Sequence, residues 1–226
     1  MSILGASLNL VIFASIITFS DGWGHVFTNP VIPAFLTIVS AFCIAECWEG
    51  SKQIEVIVCN TKTWLEVALA GLTGGVLFMV FAISLGEHLN TATGLDIGSR
   101  LAGASIACIG IFLRVAAFRE LGRAFVSMPR VVVGQRLVVK GPYGFLRHPS
   151  ETGIICISLG IAWMMNSSLG LLITASLLLP LSYSRVTREE RVLTKNFNQA
   201  YLDYQDSVPR LIPALPYWRC WKRKFR

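Results

Sequence analysis

Six apolar runs constrain this chain more than any other feature: Ile3–Phe19, Val31–Trp48, Trp64–Leu85, Leu101–Phe118, Pro149–Met165 and Leu169–Tyr183. A hydrocarbon core of roughly 30 Å is crossed by about 20 apolar residues of helix, whose backbone groups satisfy one another. Only 15% of the residues are charged and 54% are apolar, whereas a soluble domain carries about 25% charged residues. The expected fold is therefore all-α, a polytopic membrane helical bundle of about six spans. The first run lacks a basic n-region and an Ala-x-Ala site, so it reads as a retained span rather than a signal peptide. Only Asn166-Ser167-Ser168 parts the last two runs, which predicts a helical hairpin over 149–184. The chain divides on this reading into N-terminal transmembrane helices, 1–118, and a core of 119–226 that holds the hairpin, a cytosolic helix and a tail.

Charge placement orients the bundle. Arg119, Arg123, Arg130, Arg136, Lys140 and Arg147 stand against Glu120 in one polar segment, and Arg185–Arg226 holds ten basic residues against four acids. The polar turns Asp21–Pro30 and Glu87–Ser99 contain no Lys or Arg. The positive-inside rule then places both basic segments, and both termini, in the cytosol. The expected protein is multi-pass, in the endoplasmic reticulum if eukaryotic or the inner membrane if bacterial. The net charge of +7 is a property of that face, and nothing else in the chain points to nucleic acid. The tail Trp218–Arg226 pairs aromatics with cations, as suits an anionic leaflet or a plain end of the ordered chain. The six cysteines show no C-x-x-C and no nearby His at ligand spacing, so neither a metal nor a disulfide is expected. Glu46, Glu66 and Arg114 lie near predicted span ends, where long side chains reach water, and carry no functional assignment.

One stretch breaks the membrane pattern with dense punctuation: Gly141–Gly153, reading GPYGFLRHPSETG. Pro at the first helical position predicts a shaped loop over Gly141–His148 and a helix from Pro149 onward. Arg147 and His148 then sit at the mouth of a membrane helix, where a polar cluster is costly and points to function. The alternative is an interfacial anchor and a residue that merely begins a helix. The hairpin returns RVTREE, Arg185–Glu190, to the same membrane face. Arg185 and Glu189 are i,i+4 and share a helix side; alone, such a pair is also what a solvated surface shows.

This stretch, with REERVLTKNFNQAYLDYQDSVPRLIP after the hairpin, resembles the isoprenylcysteine carboxyl methyltransferase family. The family shows G-x-Y…R-H-P-x-Y-x-G, then E-E…L…F-x-x-x-Y-x-x-Y…V-P-R-x-x-P. The matching residues are Gly141, Tyr143, Arg147, His148, Pro149 and Gly153, then Glu189, Glu190, Leu193, Phe197, Tyr201, Tyr204, Val208, Pro209, Arg210 and Pro213. The resemblance covers roughly Leu121–Pro213 and leaves the first three spans without a motif. It implies an S-adenosylmethionine-dependent membrane enzyme with a cytosolic cofactor pocket. The implied cradle is Gln135, Arg136, Leu137, Val138, Tyr143, His148, Pro149, Ser150, Glu151 and Glu189, with Arg185 as the catalytic, substrate-binding residue. The implied partners are the bilayer and a lipid-tailed substrate, a prenylated protein C-terminus. One departure is plain: where the family usually has Tyr after R-H-P-x, this chain has Glu151.

The chemistry agrees with that class. Methyl transfer to a carboxylate is an in-line displacement whose nucleophile is already ionised at neutral pH. No strong base is needed, and the chain offers neither a Ser/His/Asp nor a Cys/His set. Alignment alone contributes roughly 7–11 kcal/mol, and the planar fork of an Arg suits two carboxylate oxygens. Three alternatives stay open on the sequence: methylation of another membrane lipid, for which Glu151 could cage an amine; an NADPH-dependent sterol-type reductase; and a non-catalytic lipid-binding relative.

Overall fold

The computed structural model describes residues 30–51, 64–90, 96–121 and 137–213, the side chains of 47–51 and 64–68 excepted. The run Ile3–Phe19, the polar loop Glu49–Thr63 past Ser51, Gln135, Arg136 and the tail Trp218–Arg226 lie outside the described residues. The described residues contain helices and no strand. We label the helices α1 (Val31–Ser51), α2 (Trp64–Asn90), α3 (Ile97–Leu121), α4 (Pro149–Met164), α5 (Ser168–Phe197) and α6 (Gln199–Ser207). By length and composition Leu69–Asn90, Ile97–Leu121 and Ser168–Phe197 are able to cross a membrane, and Val31–Glu46 is a shorter apolar helix.

Helices α1 and α2 each bury one side at helical spacing: Ile32, Phe35, Val39 and Phe42 on one, Leu77, Val80, Phe81 and Leu85 on the other. Phe35, Val39, Phe42, Leu77, Phe81 and Leu85 form the main apolar core with Ile154, Ile157, Ile161 and Leu178. Helices α3 and α4 run antiparallel at unusually short range. A Cβ on Gly103 would stand 2.6 Å from Met164 N, and one on Gly110 would stand 2.7 Å from Gly153 O. Small residues on both sides permit backbone-to-backbone contact, which in a bilayer replaces the missing hydrophobic drive between helices.

The hairpin turn is at Met165–Ser167, with Asn166 left-handed at φ 56°. Ser167 caps α5 by accepting from Gly170 N at 2.8 Å, and Glu87 at the end of α2 accepts from the Leu169 N–H at 3.2 Å and from both turn serines. The second arm outruns its expected end at Tyr183 and continues as helix to Phe197. It passes through a wide π-turn at Thr174–Leu178. Pro180 follows directly; it lacks an N–H, and its ring needs room one turn back, which the widened turn supplies. Ser158 of α4 and Thr174 of α5 meet there at 2.7 Å, Thr174 donating onward to Gly170 O. The continuation of α5 carries Arg185–Glu190 past the apolar core to the mouth of α4. Likewise α2 and α3 extend into the expected Glu87–Ser99 loop, to Asn90 and from Ile97.

Candidate functional site

Punctuation at Gly141–Pro149 shapes the approach to α4. Gly141 sits at φ 55°, where an L side chain is strained, and a Cβ there would stand 2.8 Å from Glu120 Oε2. Gly141–Gly144 forms one 3₁₀ turn, closed by Phe145 N to Pro142 O at 3.1 Å. Pro149 then opens α4 at its first position.

The segment after α6 docks on this approach. Arg147 N donates to Pro209 O at 2.9 Å, His148 N to Arg210 O at 3.1 Å, and Thr152 Oγ1 to Leu211 O at 2.8 Å. The Tyr204 hydroxyl donates to Tyr143 O at 2.6 Å. Tyr201, Tyr204 and Val208 form a second small core, on which Leu137, Leu193 and Phe197 lean. Two motif stretches separated by the whole hairpin therefore share backbone hydrogen bonds.

Ion pairs fill the junction. Glu190 is buried, with Arg147 Nη1 at 3.4 Å, His148 Nε2 at 3.2 Å and Arg210 on its other oxygen. On its second nitrogen His148 meets Glu189 at 3.4 Å. Burial alone would lower the His148 pKa, but hydrogen bonds to Glu189 and Glu190 outweigh it and raise the imidazole to about 9. Burial, and then the charge of Glu189, hold the Tyr143 phenol well above its ordinary range. Arg185 Nη1 stands 2.8 Å from Glu151 Oε1. The other Glu151 oxygen is buried and has no hydrogen-bond partner among the described residues.

Arg185 and Glu189 thus both reach the first turn of α4, one at Glu151 and the other at His148. Pro149 is buried beside them. Ser150 Oγ accepts from Arg114 Nη1 at 2.7 Å. Leu137 and Val138 are half-buried on the approach.

Three groups fall outside the expected site, although Glu190 and Arg210 are among the motif matches. Glu190 is the buried centre of the cluster, whereas i,i+4 spacing from Arg185 selects Glu189. Ser182, Val186 and Glu190 form the buried side of α5, so continuing that spacing past the last apolar residue would have found it. Arg210 stacks over the Tyr183 ring, 5.3 Å from its centroid, while holding Glu190. Arg114 and Glu46, read as snorkelling residues, are paired with each other through two contacts, and Arg114 lies 4.7 Å over Phe118. That pair ties α1 and α3 to the first turn of α4. Among the described residues no group of His, Cys, Asp and Glu is arranged to hold a metal ion, and Cys43, Cys108 and Cys156 are thiols.

Comparison with known proteins meets the same half of the chain. Residues 99–200 match the model of a family described as phospholipid methyltransferase. A protein-S-isoprenylcysteine O-methyltransferase of Schizosaccharomyces pombe is 31% identical over 114 residues, 48% of this chain and 47% of that protein. Two from Arabidopsis thaliana, forms B and A, are 27% and 29% identical over 113 and 107 residues, covering 49% and 46% of this chain and 57% and 54% of theirs. The chain spans about half the length of the curated relatives it matches. The resemblance carried by the two motifs is thereby found by whole-segment comparison as well.

Proposed function

We propose that this chain, which carries the phospholipid methyltransferase family segment at residues 99–200, moves a methyl group from S-adenosylmethionine to the carboxylate of a C-terminal prenylated cysteine. The observation that supports this most is the closure of the two motif stretches on each other, which puts Arg185 and Glu189 at the first turn of α4 beside His148. The relatives' names supply the acceptor class.

The junction fits a cationic donor. Glu189 is half-exposed and the buried Glu151 keeps an oxygen without a partner, so acceptors remain for a group bearing an ammonium. When bound, S-adenosylmethionine supplies an electrophilic methyl on a sulfonium. The backbone of Leu137 and Val138, with Tyr143, His148, Pro149, Ser150, Glu151 and Glu189, would hold it, and Gln135 and Arg136 precede that set in the chain. Arg185 orients the acceptor carboxylate through its planar fork. No proton moves, because the nucleophile is already ionised; the chain contributes alignment and partial removal of water. His148, locked between Glu189 and Glu190, acts as a fixed strut and not as a base. A site at the start of a membrane helix admits a polar donor from the cytosol and a lipid-tailed acceptor from the bilayer, with the hairpin turn and Glu87 at the opposite face.

A second reading, methylation of an amino headgroup, is favoured by the same unpartnered Glu151 oxygen, which would hold an amine. Purified protein given methyl-labelled S-adenosylmethionine and a panel of prenylcysteines and amino-headgroup lipids decides between them. Label in the prenylcysteine ester is expected; label only in the amino lipids, or in neither, overturns the first reading.

A further inference from the structure

Arg114 stands where three helices meet. Its stem lies against α4, since a Cβ added at Gly153 would stand 3.1 Å from Arg114 Cβ. All three guanidinium nitrogens are engaged. Nε and Nη2 donate to the two oxygens of Glu46 on α1. Nη1 donates to Ser150 on α4, at 2.7 Å to the hydroxyl and 3.3 Å to the backbone carbonyl. A guanidinium carries its N–H groups in a fixed planar fork, so two bonds to one carboxylate set the direction of the third nitrogen. Glu46 therefore aims Arg114 at Ser150. The Arg114 side chain is 13% exposed, so water competes little for these bonds. Its charge also acts on Glu151 and Tyr143, so three members of the proposed donor cradle interact with this one cation. Glu189, Glu190 and Arg185 hold His148 and Glu151 from the hairpin; Ser150 is held from α3 and, through it, from α1. Glu46 lies outside the family segment of residues 99–200, on a helix that carries no motif.

We propose that Glu46 and Arg114 are positioning residues for the methyl donor: Glu46, acting through Arg114, fixes Ser150 and with it the first turn of α4. This rests on the reading of Ser150 as part of the donor cradle. Without the Glu46 charge the guanidinium can turn about the last bonds of its stem, and Nη1 no longer points at Ser150. The first turn of α4 then loses its tie to α3, and that part of the cradle has to be ordered when the donor arrives. Ordering at the moment of binding lowers affinity. A span with no motif of its own thereby helps to set how tightly the donor is held.

Calorimetric titration of S-adenosylmethionine into the full-length protein in detergent tests this, using Glu46→Gln, Arg114→Gln, their double variant and Arg114→Lys. Glu46→Gln is expected to weaken the donor about fivefold and Arg114→Gln about tenfold. The double variant should bind no more weakly than Arg114→Gln, since Glu46 acts only through Arg114. Arg114→Lys should not restore affinity, because one ammonium lacks the fork that joins Glu46 to Ser150. Val39→Ala is the control for lost packing: Val39 is a buried residue of α1 about two turns before Glu46. That variant should lower the unfolding midpoint and leave donor affinity within about twofold. Unchanged donor affinity in Glu46→Gln, additive losses in the double variant, or an equal loss in Val39→Ala overturns the proposal and leaves the pair as a tie between helices. Should Arg114→Gln not fold, Glu46→Gln against Val39→Ala decides alone. If the wild-type protein binds the donor and Glu46→Gln binds it equally well, this proposal falls and the methyltransferase reading stands. If the wild-type protein binds no S-adenosylmethionine, both fall.

Discussion

Glu190 Oε1 lies 3.2 Å from Nε2 of His148, across 42 residues of chain and the full length of the hairpin. That contact closes the two arms at the end away from their turn. Arg147 and Arg210 converge on the same carboxylate, so Glu190 balances three cationic groups at once. Removing one partner of a buried ion pair leaves uncompensated charge and costs about 3–5 kcal/mol. Glu190→Gln is therefore expected to lower the midpoint of thermal unfolding in detergent by roughly 6–20 °C. Glu189→Gln, at a half-exposed position whose cationic partner among the described residues is His148, should lower it far less. Equal effects of the two substitutions would mean that Glu190 does not anchor the junction.

The His148 proton gives this junction a pH dependence of definite sign. Its folded pKa stands at about 9 against 6.5 in the unfolded chain. A raised value means that the folded state binds the proton more tightly. The contribution is complete below pH 6.5, declines between there and about 9, and is gone above. The size is on the order of 3 kcal/mol at most. Unfolding midpoints taken from pH 6 to 10 should fall across that window, and His148→Gln should flatten that part of the curve. A wild-type profile flat over the window would show that the imidazole is not held by the two carboxylates.

How much of this was legible differs from residue to residue. The spans of α2 and α3, the hairpin and the start of α4 at Pro149 follow from apolar runs and from proline's missing N–H. The continuation of α5 to Phe197 did not follow, because hydropathy ends at Tyr183 while helical spacing does not: Ser182, Val186 and Glu190 keep the buried side. Adjacent Glu189 and Glu190 differ by about 100° around the helix, and the i,i+4 series Ser182, Val186, Glu190 turns the second of them inward. Glu46 and Arg114 belong to helices far apart in the chain. Nothing local marks either as the other's partner, and each alone is what a snorkelling residue looks like.

Arg185 and Glu189 should separate in function although one helical turn joins them. Arg185→Ala removes the fork assigned to the acceptor and is expected to abolish turnover while leaving donor affinity within about twofold. Glu189→Gln removes an acceptor from the donor's side and should weaken S-adenosylmethionine by about tenfold. Calorimetry with the donor and a methyl-transfer assay together check both. A normal rate in Arg185→Ala would discard its assignment, and unchanged donor affinity in Glu189→Gln would remove that residue from the cradle.

The distance between α3 and α4 sets where the site's floor lies, because Arg114 of α3 holds Ser150. A Cβ on Gly160 would stand 2.5 Å from Ala107 N and 2.6 Å from Gly103 O, backbone atoms that cannot turn aside. Gly160→Ala must push the helices apart, at a cost of about 1–3 kcal/mol. At Gly75 of α2 an added Cβ meets nothing within 4 Å, and Ala is the better helix former by about 1 kcal/mol. Opposite shifts of the unfolding midpoint are therefore expected, downward for Gly160→Ala and upward or unchanged for Gly75→Ala. The first should also reduce donor affinity, since the Arg114–Ser150 contact moves with α3. A Gly160→Ala protein as stable as wild-type would mean that the two helices are not in backbone contact, and the alignment of α4 would then need another cause.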